Sequence, residues 1–237
     1  SDDLTVDSGT LFVDASANSV GIGTTSPAAT LTVAHASGSD GRGIRLVNSS
    51  NNQTYENRIG TQGVENTSYS IRDITQDAVR LSISNAGEVT MPSQPAFLAR
   101  RNSTSSALAI NTVHDMEFAS EVFDVGSNFA SNTTFTAPVT GKYQLNWCVY
   151  LQSLDTATQY YQFMVLTSNR TFYQIFTSSA LGGDAAYQSF VWGALVDMDA
   201  NDTAKVQLQI PNSGTAQSTI YGGGGDGATF FSGFLAC

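Results

Sequence analysis

The sequence predicts an all-β protein built from antiparallel strands. Its composition is 41% hydrophobic but only 13% charged, with 21 glycines, and this profile is typical of many short strands joined by polar turns. Apolar and polar residues alternate from Tyr143 to Leu151, the period-two pattern of a sheet with one buried face. No apolar period of 3.6 residues persists for three turns, so neither a long helix nor a coiled coil is expected.

The charge balance restricts the classes of partner. Twenty acidic residues against 10 basic residues give a formal net charge of −10, and an acidic surface repels phosphate backbones and anionic lipids. We therefore expect neither nucleic acid nor membrane insertion. No stretch approaches the ~20 apolar residues that cross a bilayer. The start, Ser1-Asp2-Asp3, lacks a Met and a signal-peptide core, which indicates a fragment of a longer protein.

Two prolines in four residues, Pro92 to Pro95, predict a domain boundary. They divide the chain into a β-rich region of residues 1–91, a linker of residues 92–95 and a larger domain of residues 96–237. In the first region, residues 11–22 and 81–91 share one plan of strand, small turn and Val-centred return strand, which predicts a chain of short hairpins. Large apolar residues are few here, so we expect much of the burial to come from other copies of the chain.

The larger domain contains further strand-like runs between turns rich in Gly, Asn, Asp or Ser. Short strands at this spacing predict a sandwich or a barrel. The runs are Tyr160–Thr167, Arg170–Thr177, Tyr187–Val196, Ala204–Ile210 and Thr229–Ala236.

The order of landmarks in this domain resembles a known family. Ala96–Ala99 opens it, Glu121–Val125 follows, and Phe135–Tyr143 is similar to the family signature F-x-A-P-x-x-G-x-Y. Leu195–Val206 is similar to a late turn of the family, and Phe230–Leu235 resembles its closing strand F-S-G-F-L. Residues 96–237 thus resemble the jelly-roll heads of the complement component 1q and tumour necrosis factor superfamily, although Asn201 stands where the turn usually has Gly.

This resemblance implies a ten-strand antiparallel jelly roll that assembles as a homotrimer. In the signature we expect Pro138 to stop one strand, Gly141 to permit a tight turn and Tyr143 to start the buried face of the next strand. Because aromatic residues fill the family's trimer axis, some aromatic residues here should be interfacial. The candidates are Tyr160, Tyr161, Phe163, Phe190, Trp192, Phe230 and Phe231.

The segment from Asn18 to Pro27, followed by Leu31–Val33, resembles hairpins of bacteriophage tail fibres and tailspikes, which bacterial surface proteins also carry. Joined to the head, it implies a fibre shaft or collar that leads to a receptor-binding tip. We therefore expect the protein in the virion, at the distal end of a tail fibre, where it binds a host cell-surface glycan or protein. The alternative location is a bacterial cell surface or the extracellular space.

Ligand contacts are expected in loops at one end of the sandwich, since recognition residues concentrate in loops on a rigid scaffold. The three loops are Leu154–Thr158, Ala180–Ala186 and Gly222–Gly227. The candidate ligand-binding residues are Asp155, Thr156, Asp184, Tyr187 and Asp226. Asp155, Asp184 and Asp226 are also candidates for a calcium site if their loops converge; otherwise no cofactor is expected.

Residues for catalysis are not evident. The two histidines, His35 and His114, lie in polar turns without a paired nucleophile, and the glycine run at residues 222–227 precedes a strand, whereas phosphate loops precede a helix. Asp197–Asp202 begins like a calcium loop, but Asp202 replaces the required Gly and Leu208 replaces the Glu. We expect a non-enzymatic protein. A trimerisation or surface-decorating protein without a ligand is the alternative, and a carbohydrate hydrolase or esterase is a third.

The two cysteines, Cys148 and Cys237, have no second pair and no neighbouring His cluster, so neither a zinc site nor a disulfide framework follows. Two free thiols are expected. A bridge between them stays open, because both would lie on strands of one sandwich.

Overall fold

A computed structural model describes residues 3–7, 10–34, 43–61, 64–211, 214–223 and 227–237, with side chains for all of these except residues 61 and 64–67. His35 and Asp226 lie outside the described residues. The chain forms two compact units, Ser1–Ser93 and Gln94–Cys237.

The first unit contains two sheets. The four-stranded sheet has the order β1-β2-β3-β4 and the five-stranded sheet the order β5-β6-β7-β8-β9. The strands are β1 (Leu4–Val6), β2 (Leu11–Asp14), β3 (Ser19–Ile22), β4 (Leu31–Val33), β5 (Ile44–Asn48), β6 (Gln53–Thr61), β7 (Val64–Asp73), β8 (Ala78–Ile83) and β9 (Val89–Thr90).

The hairpins of the first unit agree with the sequence at two places and differ at a third. The β2–β3 and β8–β9 pairs are antiparallel hairpins, as the shared plan predicts. By contrast, β4 pairs with β3 in parallel, so the corner at residues 24–27 is part of a crossover connection. This corrects the expectation that β3 and β4 form another hairpin. Gly21 is required beneath this crossover, because a Cβ there would overlap the Thr24 carbonyl oxygen.

The second unit is a sandwich of two antiparallel sheets. The first sheet has the order β12-β10-β21-β15-β18, with β20 beside β15, and the second has the order β13-β14-β19-β16-β17, with β11 beside β19. This topology is the predicted all-β jelly roll. The strands are β10 (Ala96–Arg100), β11 (Val113–Asp115), β12 (Ser120–Val125), β13 (Phe129–Ala130), β14 (Thr134–Thr136), β15 (Gly141–Leu154), β16 (Tyr161–Thr167), β17 (Thr171–Phe176), β18 (Ala185–Met198), β19 (Thr203–Gln209), β20 (Thr219–Ile220) and β21 (Phe230–Leu235).

The hydrophobic core lies between these two sheets. The alternating residues of β15 that the sequence places on a buried face, from Tyr143 to Leu151, are at most 1% exposed. Aromatic rings fill the space opposite them: Trp147 stacks on Phe163 with 5.1 Å between ring centroids, and Phe97 stacks on Phe135 at 4.7 Å. Burial of this kind stabilises the fold by roughly 25 cal/mol for each Å² of apolar surface.

The signature segment is structural, as expected, but the role of its glycine differs. The Tyr143 hydroxyl is held by a 2.8 Å hydrogen bond that it donates to the Val139 carbonyl oxygen. Gly141 lacks a left-handed φ. It is required because a Cβ there would lie 2.5 Å from Leu235 Cδ1 and 2.7 Å from the Cys237 carbonyl oxygen. In the late turn, Asn201 has a φ of 75°, which explains why Asn can stand at a Gly position.

The cysteines are both free thiols; Cys148 is buried and Cys237 is exposed. Burial raises the pKa of the Cys148 thiol. Within the described ranges, no helix is long and apolar enough to span a bilayer.

Candidate functional site

Three loops meet at one end of the second unit, where β15 ends and β16 and β18 begin. They comprise residues 155–160, residues 177–184 and the described part of residues 210–218. Two carboxylates tie them together: Asp155 binds the backbone at Thr215, and Asp184 binds Thr156 and Gln217. Two of the loops predicted from the sequence, Leu154–Thr158 and Ala180–Ala186, therefore do converge.

Asp155 is a buried brace and has little surface to offer a ligand. It is 5% exposed, and its carboxylate accepts hydrogen bonds from the Ala157 N–H at 2.7 Å and from the Thr215 N–H at 2.5 Å. Gly214 allows this approach, because its φ is +116° and a Cβ there would lie 2.6 Å from Asp155 Oδ2. The backbone N–H of Asp155 donates to the Tyr161 hydroxyl oxygen at 2.9 Å.

Asp184 is the exposed counterpart of this brace. Its carboxylate accepts two 2.8 Å hydrogen bonds from Thr156, one from the backbone N–H and one from the hydroxyl, and a 3.1 Å bond from Gln217 Nε2. The backbone N–H of Thr156 is the largest reason why the pKa of Asp184 is lowered. The ionised carboxylate thus holds the three loops in one arrangement.

A calcium site finds no support in this geometry. The oxygens of Asp155 and Asp184 face N–H and O–H donors, which a cation would have to displace. In the described part of the chain, no group of three or more His, Cys, Asp or Glu residues could hold a metal ion. Asp197–Asp202 is a structural turn, in which Asp202 Oδ2 accepts the Asp199 N–H at 2.8 Å.

The braced loops border a shallow depression of about 380 Å³. Ser153, Asp184, Ala185, Ala186 and Gln217 line it. Polar groups fixed around a shallow surface suit hydroxyl-rich or peptide ligands, because their hydrogen-bonding positions are set in advance.

Tyr187 does not belong to these loops. It lies on β18, 63% exposed, on the outer face of the first sheet, meaning the face turned away from the core. With Tyr150 and Tyr221 it forms a tyrosine cluster: the Tyr150 ring centroid lies 5.8 Å from that of Tyr187 and 5.0 Å from that of Tyr221. The sequence pattern had already placed Tyr150 opposite the buried face of β15, whereas its contact with Tyr221 depends on the fold.

Exposed apolar side chains lie among polar ones on the rest of the outer face. The strand register places Phe234, Gln144 and Leu195 in one row across three strands. Phe230, Cys148 and Val191 form another row. The exposed fractions of the large side chains here are 48% for Phe123, 48% for Phe234, 58% for Leu195 and 64% for Val191.

A groove of about 830 Å³ runs along this face, bordered by Leu98, Phe123, Phe230 and Phe234. Arg100 also lines the groove. Its Nη1 atom is buried and has no hydrogen-bond partner among the described residues. A buried guanidinium nitrogen without an acceptor is costly, so this position favours an additional acceptor from outside the described residues.

The candidate interface residues divide into three groups. Phe230 lies on the outer face, next to the groove. Tyr161, Phe163 and Phe231 are 0% exposed within one chain and Phe190 is 6% exposed, which corrects their expected interfacial role, because core side chains offer no surface to a second chain. Trp192 packs against the core beside Phe172, and Tyr160 is half-buried in a loop.

Sequence reasoning missed most of the outer face. The sequence did not single out Phe123, Val191, Phe234 or Arg100, because residue type alone does not show which side of a strand faces the core. The period-two alternation that identifies the inward residues of β15 also identifies the outward ones, and it was the signal that could have found this face.

Comparisons with known proteins give likenesses among solved structures. No family model matches the chain, and no curated protein matches it. The globular domain of zebrafish complement 1qA is 17% identical, covers 61% of this chain and 98% of its own, and has a TM-score of 0.44. Murine APRIL at pH 8.5 is 16% identical, with coverages of 60% and 98% and a TM-score of 0.43. Eiger TNF from S. frugiperda is 14% identical, with coverages of 61% and 94% and a TM-score of 0.46.

Proposed function

We propose that this chain is the homotrimeric, receptor-binding tip of a bacteriophage tail fibre, which adheres to a glycan or protein of the host cell surface. The observation that carries the trimeric part of the proposal is the group of exposed apolar side chains on the outer face of the first sheet. Monomeric proteins rarely expose contiguous apolar patches of more than a few hundred Å², and Phe123, Phe234 and Val191 are about half exposed or more. The tail-fibre part rests on the resemblance of the segment from Asn18 to Pro27.

Two features support copies of the same chain on this face. Apolar burial drives association most strongly at the centre of an interface, and the groove lined by Phe230 and Phe234 provides such a centre. In addition, Nη1 of Arg100, which has no acceptor among the described residues, would gain one from a neighbouring copy, in a chain that carries 20 acidic residues.

The receptor-binding part of the proposal is supported by the braced loops. Asp155 and Asp184 fix the loops before any ligand arrives, so a ligand would not have to order them on binding. Three weak sites on one trimer would reinforce each other through avidity.

The first test is the solution mass of residues 1–237 by light scattering. We expect three times the chain mass of 25.1 kDa. Val191→Asp, which places a charge on the outer face, should reduce the mass toward that of one chain. Val113→Asp is the matched control, because Val113 is 47% exposed on the second sheet. A wild-type monomer would contradict the proposal.

The second test is binding to whole bacterial cells and to a panel of bacterial surface polysaccharides. Ala186→Trp fills the depression beside Asp184 without removing a hydrogen bond of the brace, and should abolish binding while the mass stays unchanged. Ala200→Trp, at the exposed turn between β18 and β19, is the control and should bind normally. A trimer that binds nothing would favour the structural or surface-decorating alternative.

A further inference from the structure

The four-stranded sheet of the first unit carries all its large aliphatic side chains on one face. Cross-strand register places Leu4, Val13, Val20 and Leu31 in one row, and a second row lies two residues along each strand. The second row consists of Val6, Leu11, Ile22 and Val33. Since residues two apart in a strand share a face, the eight side chains form one continuous apolar face.

None of these eight side chains is buried. Leu4 is 56% exposed, Leu31 57%, Val6 46% and Ile22 43%; the others are exposed or half-buried. The opposite face of the same sheet contains the buried positions, Ser19 and Gly21. A sheet with one apolar face normally turns that face to a core, and no described part of the first unit covers this one.

The described residues of the first unit also form no apolar core elsewhere that could take up this face. Before residue 94, the described residues with buried side chains are polar or charged: Ser19, Glu56, Arg58, Ser70 and Asp73. A small sheet of three- and four-residue strands is marginal in water without packing. The apolar face therefore requires a partner from outside the described part of the first unit.

We propose that this face packs against the same face of the other copies in the trimer, so that the core of the four-stranded sheet is intermolecular. The inference rests on the trimer proposed above. Charge does not oppose identical copies at this face: each chain has a net charge of −10, but the eight side chains are all uncharged, so the faces meet without like-charge repulsion between them.

Tethering explains why so small a face is sufficient. Four strands spaced about 4.8 Å apart present much less than the ~800 Å² per partner of a stable stand-alone interface. Each copy is joined to its head through residues 92–95, however, and chains held together by their heads face each other at an effective concentration on the order of millimolar. Weak packing then suffices.

The test is hydrogen exchange on the full chain, read by mass spectrometry over residues 11–22 and, as a folding control, over residues 143–151. Leu31→Asp should make the amides of residues 11–22 exchange about tenfold faster, because it buries a charge in the shared core. Thr5→Asp is the matched control: Thr5 is exposed on the opposite face of the same sheet, and its effect should be less than about twofold.

The two proposals fail in different ways. If light scattering gives a trimer but Leu31→Asp exchanges like wild type or like Thr5→Asp, the intermolecular core is overturned and the head trimer stands. If the wild-type chain is a monomer, the proposed function is overturned, and the shared core with it. Unchanged exchange over residues 143–151 in both variants shows that the head is folded.

Discussion

The two units distribute apolar and charged side chains in opposite ways. In the second unit, Trp147, Phe163 and Phe231 are fully buried between two sheets. In the first unit, the buried residues include Glu56 at 0% and Arg58 at 5% exposure, whereas Leu31 and Leu46 are more than half exposed. A single copy of the chain thus completes the core of the second unit but not that of the first.

The physical reason lies in how much apolar surface each segment can hide by itself. A sandwich encloses a core between two facing sheets. The charged pairs of the first unit cannot replace such a core, because the desolvation of buried ions cancels most of their attraction. The comparison shows that a high content of strands does not by itself make a self-sufficient domain.

The largest expected effect is the removal of a core aromatic side chain. Phe163→Ala should destabilise the second unit by about 3–5 kcal/mol, because it creates a cavity next to Trp147. Phe12→Ala, the same truncation at a half-buried position in the first unit, should cost about 1 kcal/mol or less. Urea unfolding followed by tryptophan fluorescence for the second unit and by hydrogen exchange for the first measures both. Equal losses of stability in Phe163→Ala and Phe12→Ala would contradict the proposed difference between the units.

An intermediate effect is expected at the buried ion pairs of the first unit. Glu56 accepts hydrogen bonds from Arg45 Nε at 2.6 Å and from Arg58 Nη1 at 3.4 Å, and Arg58 Nε and Nη2 have no partner among the described residues. Glu56→Ala leaves the buried Arg58 guanidinium without its ion-pair partner, which should lower the free energy of unfolding by about 3 kcal/mol. Hydrogen exchange over residues 68–83 should accelerate while that of β15 is unchanged. Glu88→Gln, at an exposed hairpin position, is the control.

Acid should destabilise the first unit more than the second, by less than either substitution above. The Arg80 side chain, which hydrogen-bonds Asp73 at 2.8 Å, is the main cause of the lowered pKa of Asp73. Because this pKa is depressed on folding, its stabilising contribution is complete above the ordinary value of 3.8 and is lost as pH falls through the lowered value. The brace at Asp184 titrates in the same direction.

We therefore expect protection of β8 to decrease below about pH 4, while the core amides of β15 stay protected. In Asp73→Asn, the amides of β8 should exchange faster than in the wild-type protein at neutral pH. Acidification should then accelerate their exchange little further. A simultaneous loss of β15 protection in the wild-type protein would show that the second unit depends on carboxylates as much as the first.

Much of the second unit could be predicted from the sequence. The alternation from Tyr143 to Leu151 identified a buried face that the structure confirms. The segment Phe135–Tyr143 leads into β15, the strand that carries this face. The reason for Gly141 could not be predicted, because the Leu235 side chain that excludes a Cβ there is 94 residues away in the sequence and reaches it only through the pairing of β15 with β21.

The candidate site was predicted less completely. The sequence indicated that Asp155, Thr156 and Asp184 lie in neighbouring loops, but not that Asp155 is buried as a brace while Asp184 stays exposed. Among the aromatic candidates, side-chain type alone could not separate the core residue Phe231 from its neighbour Phe230 on the outer face, since adjacent residues of one strand point to opposite sides.

The sequence by itself determined the strand content and the one-sided patterns of the strands, because these follow from local spacing of apolar residues and turn formers. The tertiary structure alone decided which of these faces a single chain can cover. That depends on which sheets meet: β15 packs against the second sheet opposite it, whereas the aliphatic face of β1–β4 is covered by no described part of its own unit.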